Sequence, residues 1–494
     1  MKFYSTRNKN NVASGAQAVC RGISEEGGLY VPSEFPVVSK EKTESFCGAA
    51  YEDTAAEIVG MFLPELTELA EYTRAAYSRF CGDPAPVVQI AENTFITELW
   101  HGPTHAFKDI ALTLLPHLLS GSKKILGNDK ITLIPVATSG DTGKAALEGF
   151  GGVEGTAVAV FYPSGGVSDL QKLQMITTEH KNVFVSAING NFDDAQTAVK
   201  KAFANERLIK ELADEGIELS SANSINFGRL APQITYYFTS YADLLDGGRI
   251  KYGDKVDFCV PSGNFGDILA GYYALKMGLP VGRLICASNV NNVLCDFINT
   301  GVYDRRREFH KTTSPSMDIL ISSNLERLIF DLSGENDELT AERMSKLGSE
   351  GVYSLTEEET EKMQKTFSAG YAEEDEVAET ISEYFDEYGY IMDPHTAVAV
   401  TVADKLCGGE RERPTVILST ASPHKFAASV LEAIGEKPTG NEVKDLVTLE
   451  NATALEVPET LISLPKKEKL FNGCVNRDEV AGAIKEFAQR MARK

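Results

Sequence analysis

The chain has 494 residues and a formal net charge of −23. That length exceeds what one compact core usually holds, so two or three domains are expected. The acidic balance argues against general affinity for nucleic acid or anionic membrane, and an anionic ligand would need a local positive potential.

Residues 1 to about 90 read as a mainly helical N-terminal domain, with helical spacing over Glu52–Leu63 and Leu66–Phe80. No apolar signal core follows Met1–Arg7 and no apolar run approaches a membrane span, so a cytoplasmic chain without a membrane partner is expected. Eight cysteines lie scattered without a CxxC pair, which reads as buried reduced thiols rather than disulfides or a zinc site. The cluster Gly82-Asp83-Pro84-Ala85-Pro86 marks a boundary.

Beyond it, short β-branched runs alternate with helices. Strands are expected at 130–136, 156–162, 182–187, 256–260, 283–288 and 415–419, and helices at 143–150, 194–203 and 267–277. This alternation implies an α/β protein with parallel sheet covered on both faces. The catalytic region is expected over 91–435, its smaller lobe spanning about 100–220. Residues 334–383 are acidic and read as a helical surface elaboration, and 436–494 as a C-terminal helical appendage.

Three segments carry chemistry. Val260-Pro261-Ser262-Gly263-Asn264-Phe265-Gly266-Asp267 joins a strand to a helix. Its two glycines let backbone amides approach a phosphate at the positive end of the helix, though a plain β–α turn would read the same. Ala137-Thr138-Ser139-Gly140-Asp141-Thr142-Gly143 sits at another helix start, suiting a carboxylate or an ordinary N-cap. Lys144 after it fails the Walker spacing and reads as a solvated helix residue. His101-Gly102-Pro103-Thr104-His105-Ala106-Phe107-Lys108-Asp109 places Lys108 in the first turn of a helix with the apolar stripe Ile110, Leu114, Leu115, Leu118 and Leu119. A positive helix end disfavours the ammonium form, so Lys108 could form a Schiff base, against the alternative of a surface lysine. A phosphate cradle, a carboxylate pocket and an activated lysine together suit pyridoxal phosphate.

The same segments resemble threonine synthases, whose signatures read HGPT-x-AFKD, ATSGDTG and GNFGD. Gly22-Ile23, Gly27 to Pro32 and Asn223 to Leu230 match as well, so the resemblance runs through most of the chain in order. It implies a fold-type II, tryptophan-synthase-β-like enzyme with two open parallel-rich sheets flanked by helices. It implies pyridoxal 5′-phosphate on Lys108, with conversion of O-phospho-L-homoserine and water to L-threonine and phosphate. Gly263, Asn264, Phe265, Gly266 and Asp267 would form the cofactor phosphate loop, and Thr420 would face the pyridine nitrogen. Ser139, Gly140, Asp141 and Thr142 would face the substrate carboxylate. A dianionic substrate phosphate needs a local cation, which points to Arg229, against the alternative of a structural arginine paired with a surface carboxylate; Asn223 and Asn226 are lesser candidates for the same pocket. The late motif Ser419-Thr420-Ala421-Ser422-Pro423-His424-Lys425-Phe426 departs from the family's TAHPAKF, because Ser422 replaces the histidine and His424 an alanine. Alternatives are a related phospholyase or dehydratase giving 2-oxobutyrate, or a catalytically silent metabolite-binding homologue. A monomer or homodimer is expected.

Overall fold

Two parallel-rich sheets carry the architecture, and the apolar runs read from the sequence supply their central strands. The computed structural model describes residues 1–138, 140–408 and 411–492. Its larger sheet runs Phe367–Tyr371, Val281–Ser288, Val256–Pro261, Thr415–Ser419, Thr94–Glu98, Val87–Ala91 from edge to edge. Every neighbouring pair is parallel except the last, which is antiparallel. The second sheet is wholly parallel, in the order Cys474–Val475, Val183–Ile188, Thr156–Pro163, Ile131–Ala137, Ile217–Leu219. Val256–Pro261 and Thr156–Pro163 are buried at every position. Helices therefore cover both faces of these strands, and a continuous apolar run rather than alternation encodes them. The expected α/β class with two parallel-rich sheets is the one observed.

Expectations for three segments need correction. The N-terminal region does not begin as helix: Lys2–Ser5 pairs antiparallel with both Asn8–Ser14 and Tyr30–Pro32. The acidic stretch 334–383 is not purely a surface elaboration, since its strand Phe367–Tyr371 lies beside Val281–Ser288 as an edge of the larger sheet. The C-terminal segment is more than an appendage. Cys474–Val475 extends the smaller sheet, and Val480, Ile484, Phe487 and Ala488 of the helix Val480–Ala492 join its core with Phe161 and Val199. That i, i+4, i+7, i+8 spacing is one helical face, so an apolar stripe is what binds the terminus to the lobe.

The loops that follow Ile131–Ala137, Val256–Pro261 and Thr415–Ser419 leave the carboxyl ends of their strands, where open α/β sheets place ligands. Of the eight cysteines, none is disulfide-bonded; Cys259, Cys286 and Cys295 are buried, whereas Cys81 and Cys474 are exposed, contrary to the uniform burial expected.

Candidate active site

The lysine segment is a turn locked by its own side chains. Asp109 accepts from the Thr104 amide at 2.7 Å and from the Thr104 hydroxyl at 2.6 Å. A Cβ at Gly102 would lie 2.5 Å from Asp109 Cβ, so only glycine fits there. His105 takes a left-handed conformation, φ +59°, to complete the turn. Burial raises the Asp109 carboxyl to about 6 against the opposing pull of its Thr104 hydrogen bonds. The Phe107 amide donates to the Thr420 carbonyl at 2.9 Å and the Ser422 amide to the His105 carbonyl at 3.1 Å. These bonds pin the turn to the late motif and set Lys108 as the first residue of the helix Lys108–Leu112.

Lys108 is buried beside other charges. Its Nζ lies 3.1 Å from Ser316 Oγ and 3.5 Å from Asp141 Oδ2. Burial pushes its pKa down; Asp141 opposes that, and the cations Lys425 and Arg229 add to it. Lys425 Nζ reaches Asp141 Oδ1 at 2.6 Å and also donates to the Thr104 carbonyl at 3.1 Å. Burial opposes ionisation of Asp141, but Lys425 and Lys108 overcome it and hold the carboxyl far below its ordinary range. The Asp141 side chain therefore faces the lysines. Its backbone remains available. The Thr138 hydroxyl accepts from the amides of Gly140 and Gly143, both at 2.9 Å, and Gly140 caps the helix Asp141–Phe150 without a side-chain bond. The Asp141 and Thr142 amides, which precede the first helical acceptor, stay open to an anion. Ser139 lies outside the described residues. Lys144 is buried and paired with Glu148, not solvated.

The glycine loop offers a second set of amides. Phe265, in the left-handed region at φ +61°, caps the helix Gly266–Lys276, whose Leu269 amide bonds the Phe265 carbonyl at 3.2 Å. The amides of Gly266, Asp267 and Ile268 come before it and have no helical acceptor. Asn324 holds the Asn264 carbonyl from below through its amide at 3.0 Å and its side chain at 3.1 Å. Gly263 is crowded, since a Cβ there would lie 2.8 Å from the Ser316 carbonyl oxygen. The Asp267 side chain does not join the cradle. It turns inward, accepting from Tyr236 at 2.6 Å and Tyr237 at 2.9 Å, and burial raises it to about 6.

Arg229 is only 5% exposed, makes no ion pair among the described residues, and leaves its Nε without a partner; one Nη donates to the Ala222 carbonyl at 2.9 Å. Burial lowers its pKa to about 10, so it stays charged at neutral pH. The two asparagines expected beside it are placed otherwise. Asn226 caps the helix Phe227–Asp246, accepting from the Gly228 amide at 2.8 Å and donating to the Val19 carbonyl at 2.9 Å. Asn223 is exposed and accepts from Ser224 at 3.3 Å. Among the described residues, neither side chain hydrogen-bonds Arg229 or Lys108. Ser422 and His424, the departures from the family motif, contact one another at 3.1 Å, and His424 reaches the Leu455 carbonyl at 3.4 Å.

Two sets of open amides, a buried guanidinium with a free Nε and a pKa-depressed lysine fit a phosphorylated aldehyde cofactor. Sequence reasoning passed over three residues of the site: Lys425, Ser316 and His395. Lys425 lies in the late motif, and Asp393-Pro394-His395 has the signature of a capped helix start; Ser316 has no sequence signal.

The chain matches three family models: "Threonine synthase N terminus" over residues 2–77, "Pyridoxal-phosphate dependent enzyme" over 84–421, and "Threonine synthase, C-terminal" over 396–479. Threonine synthase-like 1 of Homo sapiens is 41% identical over 85% of this chain, which spans only 58% of that relative's length. Threonine synthase of Pseudomonas aeruginosa is 38% identical over 89% of this chain and 92% of the relative. A PLP-bound threonine synthase structure from Brucella melitensis has a TM-score of 0.89 at 36% identity, covering 99% of this chain and 100% of that one. The yeast threonine synthase structure gives 0.88 at 32% identity, covering 99% of each.

Proposed function

We propose that this chain, which belongs to the threonine synthase family of pyridoxal-phosphate enzymes, converts O-phospho-L-homoserine and water to L-threonine and phosphate. The observation that carries the reading is the meeting of Lys108, Asp141 and Lys425 beside two helix N-termini whose first amides have no helical acceptor. Bound to Lys108, pyridoxal phosphate supplies an electron sink for the carbanions this elimination and hydration require.

Each remaining task falls to a group of the chain. The amides of Gly266, Asp267 and Ile268 hold the cofactor phosphate, with Gly263, Asn264 and Phe265 shaping the loop around it. Thr420, beside the lysine turn, presents a neutral hydroxyl to the ring nitrogen. The amides of Asp141 and Thr142, in the turn that Gly140 forms, receive the substrate carboxylate, and Lys425 offsets the Asp141 charge that would repel it. Arg229 neutralises the leaving phosphate, as burial without a carboxylate partner equips it to do. Lys108 serves as the base. Burial and two neighbouring cations favour its neutral amine, which takes the α-proton, while Asp141 stabilises the ammonium that results.

Product analysis tests the reading. Incubation with O-phosphohomoserine should release threonine and phosphate in equal amounts. Phosphate with 2-oxobutyrate as the main product would move the chain to a phospholyase, and a cofactor-loaded protein that consumes nothing would be a binding homologue.

A further inference from the structure

We propose that Ser316 holds the Lys108 amine in place through turnover, and that His395 and Asp393 are positioning residues that fix Ser316. The proposal rests on the reading of Lys108 as the cofactor lysine. Ser316 stands in the single 3₁₀ turn Pro315–Met317, which is too short to fix a side-chain direction by its own packing. Two contacts define it instead. Its amide donates to His395 Nε2 at 3.1 Å, and its hydroxyl meets Lys108 Nζ at 3.1 Å.

His395 is itself held. Its Nδ1 lies 2.6 Å from Asp393 Oδ2, and its ring packs edge-on against Phe426 with centroids 4.9 Å apart. Because Nε2 accepts from an amide, the ring proton belongs on Nδ1, toward Asp393; the network assigns the tautomer. Asp393 is fully buried and anchored as the cap of the helix Pro394–Cys407. It accepts from the His395 amide at 2.9 Å, the Thr396 amide at 3.1 Å and the Thr396 hydroxyl at 2.5 Å. Capping alone would need the aspartate but not the imidazole. The imidazole's free nitrogen is turned to the one turn whose hydroxyl touches Lys108 and whose carbonyl borders Gly263.

The chemistry gives this arrangement a purpose. A lysine that alternates between holding the cofactor and moving a proton is free for part of each cycle. A four-carbon side chain left unheld then samples many rotamers. Ser316 Oγ can accept from the ammonium or donate to the neutral amine, so it keeps contact in either state. Asp141, on the other side of the contact set, favours only the charged form.

The test uses the full-length protein loaded with pyridoxal phosphate. Ser316→Ala should lower kcat by about ten- to hundred-fold, the scale of a misplaced reacting group. KM and thermal unfolding should change little. Ser316→Thr, which keeps the hydroxyl, should recover most of the loss. His395→Gln can place an amide oxygen near the Nε2 position and should retain more kcat than His395→Asn. Without turnover, the pH at which the visible band of loaded Ser316→Ala converts should move, because the variant removes the hydroxyl that touches the titrating nitrogen. Parental kcat and an unmoved band in Ser316→Ala would overturn the proposal. If His395→Asn does not fold, the Ser316 pair decides alone. Borohydride mapping of the parent separates the two readings: a label on Lys108 with unaffected Ser316→Ala sinks only this proposal, whereas a label elsewhere sinks both.

Discussion

Lys425 Nζ lies 2.6 Å from Asp141 Oδ1, while Lys108 Nζ lies 3.5 Å from the other oxygen of the same carboxylate. One buried carboxylate thus serves two lysines unequally. The shorter contact goes to the lysine that sequence reasoning left without a role. That inequality matters for Lys108: a carboxylate already paired with Lys425 stabilises a second ammonium less, leaving the pKa depression caused by burial in force.

Replacing Lys425 should therefore be felt at Lys108. In Lys425→Met a cation that lowers the Lys108 pKa is gone and Asp141 is free to pair with Lys108 alone. Both effects raise the Lys108 pKa. A base that must be neutral then works only at higher pH, so the acid limb of the kcat profile should move toward alkaline pH. Activity lost at neutral pH should partly return as pH rises. The measurement is kcat against pH for variant and parent; superimposable profiles would refute the coupling.

Reduction of the loaded protein with borohydride, followed by peptide mapping, should place the pyridoxyl group on Lys108. Lys108→Ala should lose the label and the visible band while keeping its fold, since the turn before it is closed by Thr104 and Asp109 instead. Label retained on another lysine in that variant would reassign the cofactor.

The two loop glycines should behave differently. A Cβ at Gly266 meets nothing closer than Asn324 Nδ2 at 3.4 Å, whereas one at Gly263 would sit 2.8 Å from the Ser316 carbonyl. Gly266→Val should fold but project over the open amides, weakening cofactor affinity by at least about tenfold, roughly one charge-assisted hydrogen bond. Gly263→Ala should lower both affinity and thermal stability, because backbone must move. Cofactor titration and thermal unfolding measure the pair. Parental cofactor affinity in Gly266→Val would place the phosphate elsewhere.

What the sequence made legible follows the physics of each element. The central strands were readable because burial on both faces turns them into apolar runs bounded by glycine and polar turns. The first sheet was not, since Asn8–Ser14 reads NKNNVAS and is only partly buried. Its strand character comes from pairing with Lys2–Ser5, not from composition. Phe367–Tyr371 contains Ser368 and Gly370 and sits at a sheet edge, where apolar content is least demanded. In the site, Lys108 and the glycine loop carry local signals: a helix start, a tight turn, a motif. Ser316 carries none, because its contact with Lys108 spans 208 positions. Asn226 looked available as a polar group in a matching segment. Its N-cap geometry and the Val19 carbonyl occupy it instead.

Asp267 should set part of the pH dependence of stability. Its folded carboxyl is raised from an ordinary 3.8 to about 6 by burial, and one oxygen has no partner among the described residues. A raised acid contributes stability that is fully present below the unfolded value and is lost as pH rises through the folded one. The loss approaches about 3 kcal/mol above pH ~7, from a shift of roughly two units. Asp267→Asn keeps an oxygen for Tyr236 and Tyr237 and removes the titration. Denaturant unfolding at fixed cofactor concentration should show the variant gaining on the parent between about pH 4 and 7. A stability difference that does not change with pH would contradict the raised pKa.

Arg229 should decide how the substrate's phosphate is held. The protein carries a net charge of −23, so a dianionic leaving group gains nothing from the overall field and needs a specific cation. Lys108 and Lys425 are committed to Asp141, which leaves Arg229 as a buried cation of this cluster with no carboxylate of its own among the described residues. A guanidinium buried without a counter-ion is costly to the folded state unless an anion arrives to pair with it. Arg229→Ala should therefore cost transition-state stabilisation of about 3 kcal/mol in kcat/KM for O-phosphohomoserine, the scale of removing one charged stabiliser. Arg229→Lys should recover only part, because an ammonium cannot bind phosphate bidentately. Thermal stability of the ligand-free variant should hold steady or rise, since the unpaired charge is gone. The same variant should still take up pyridoxal phosphate on Lys108, which separates a substrate role from a cofactor role. Normal kcat/KM with weakened cofactor binding would assign Arg229 to the cofactor phosphate instead, and the substrate's phosphate would then have to be met by other groups.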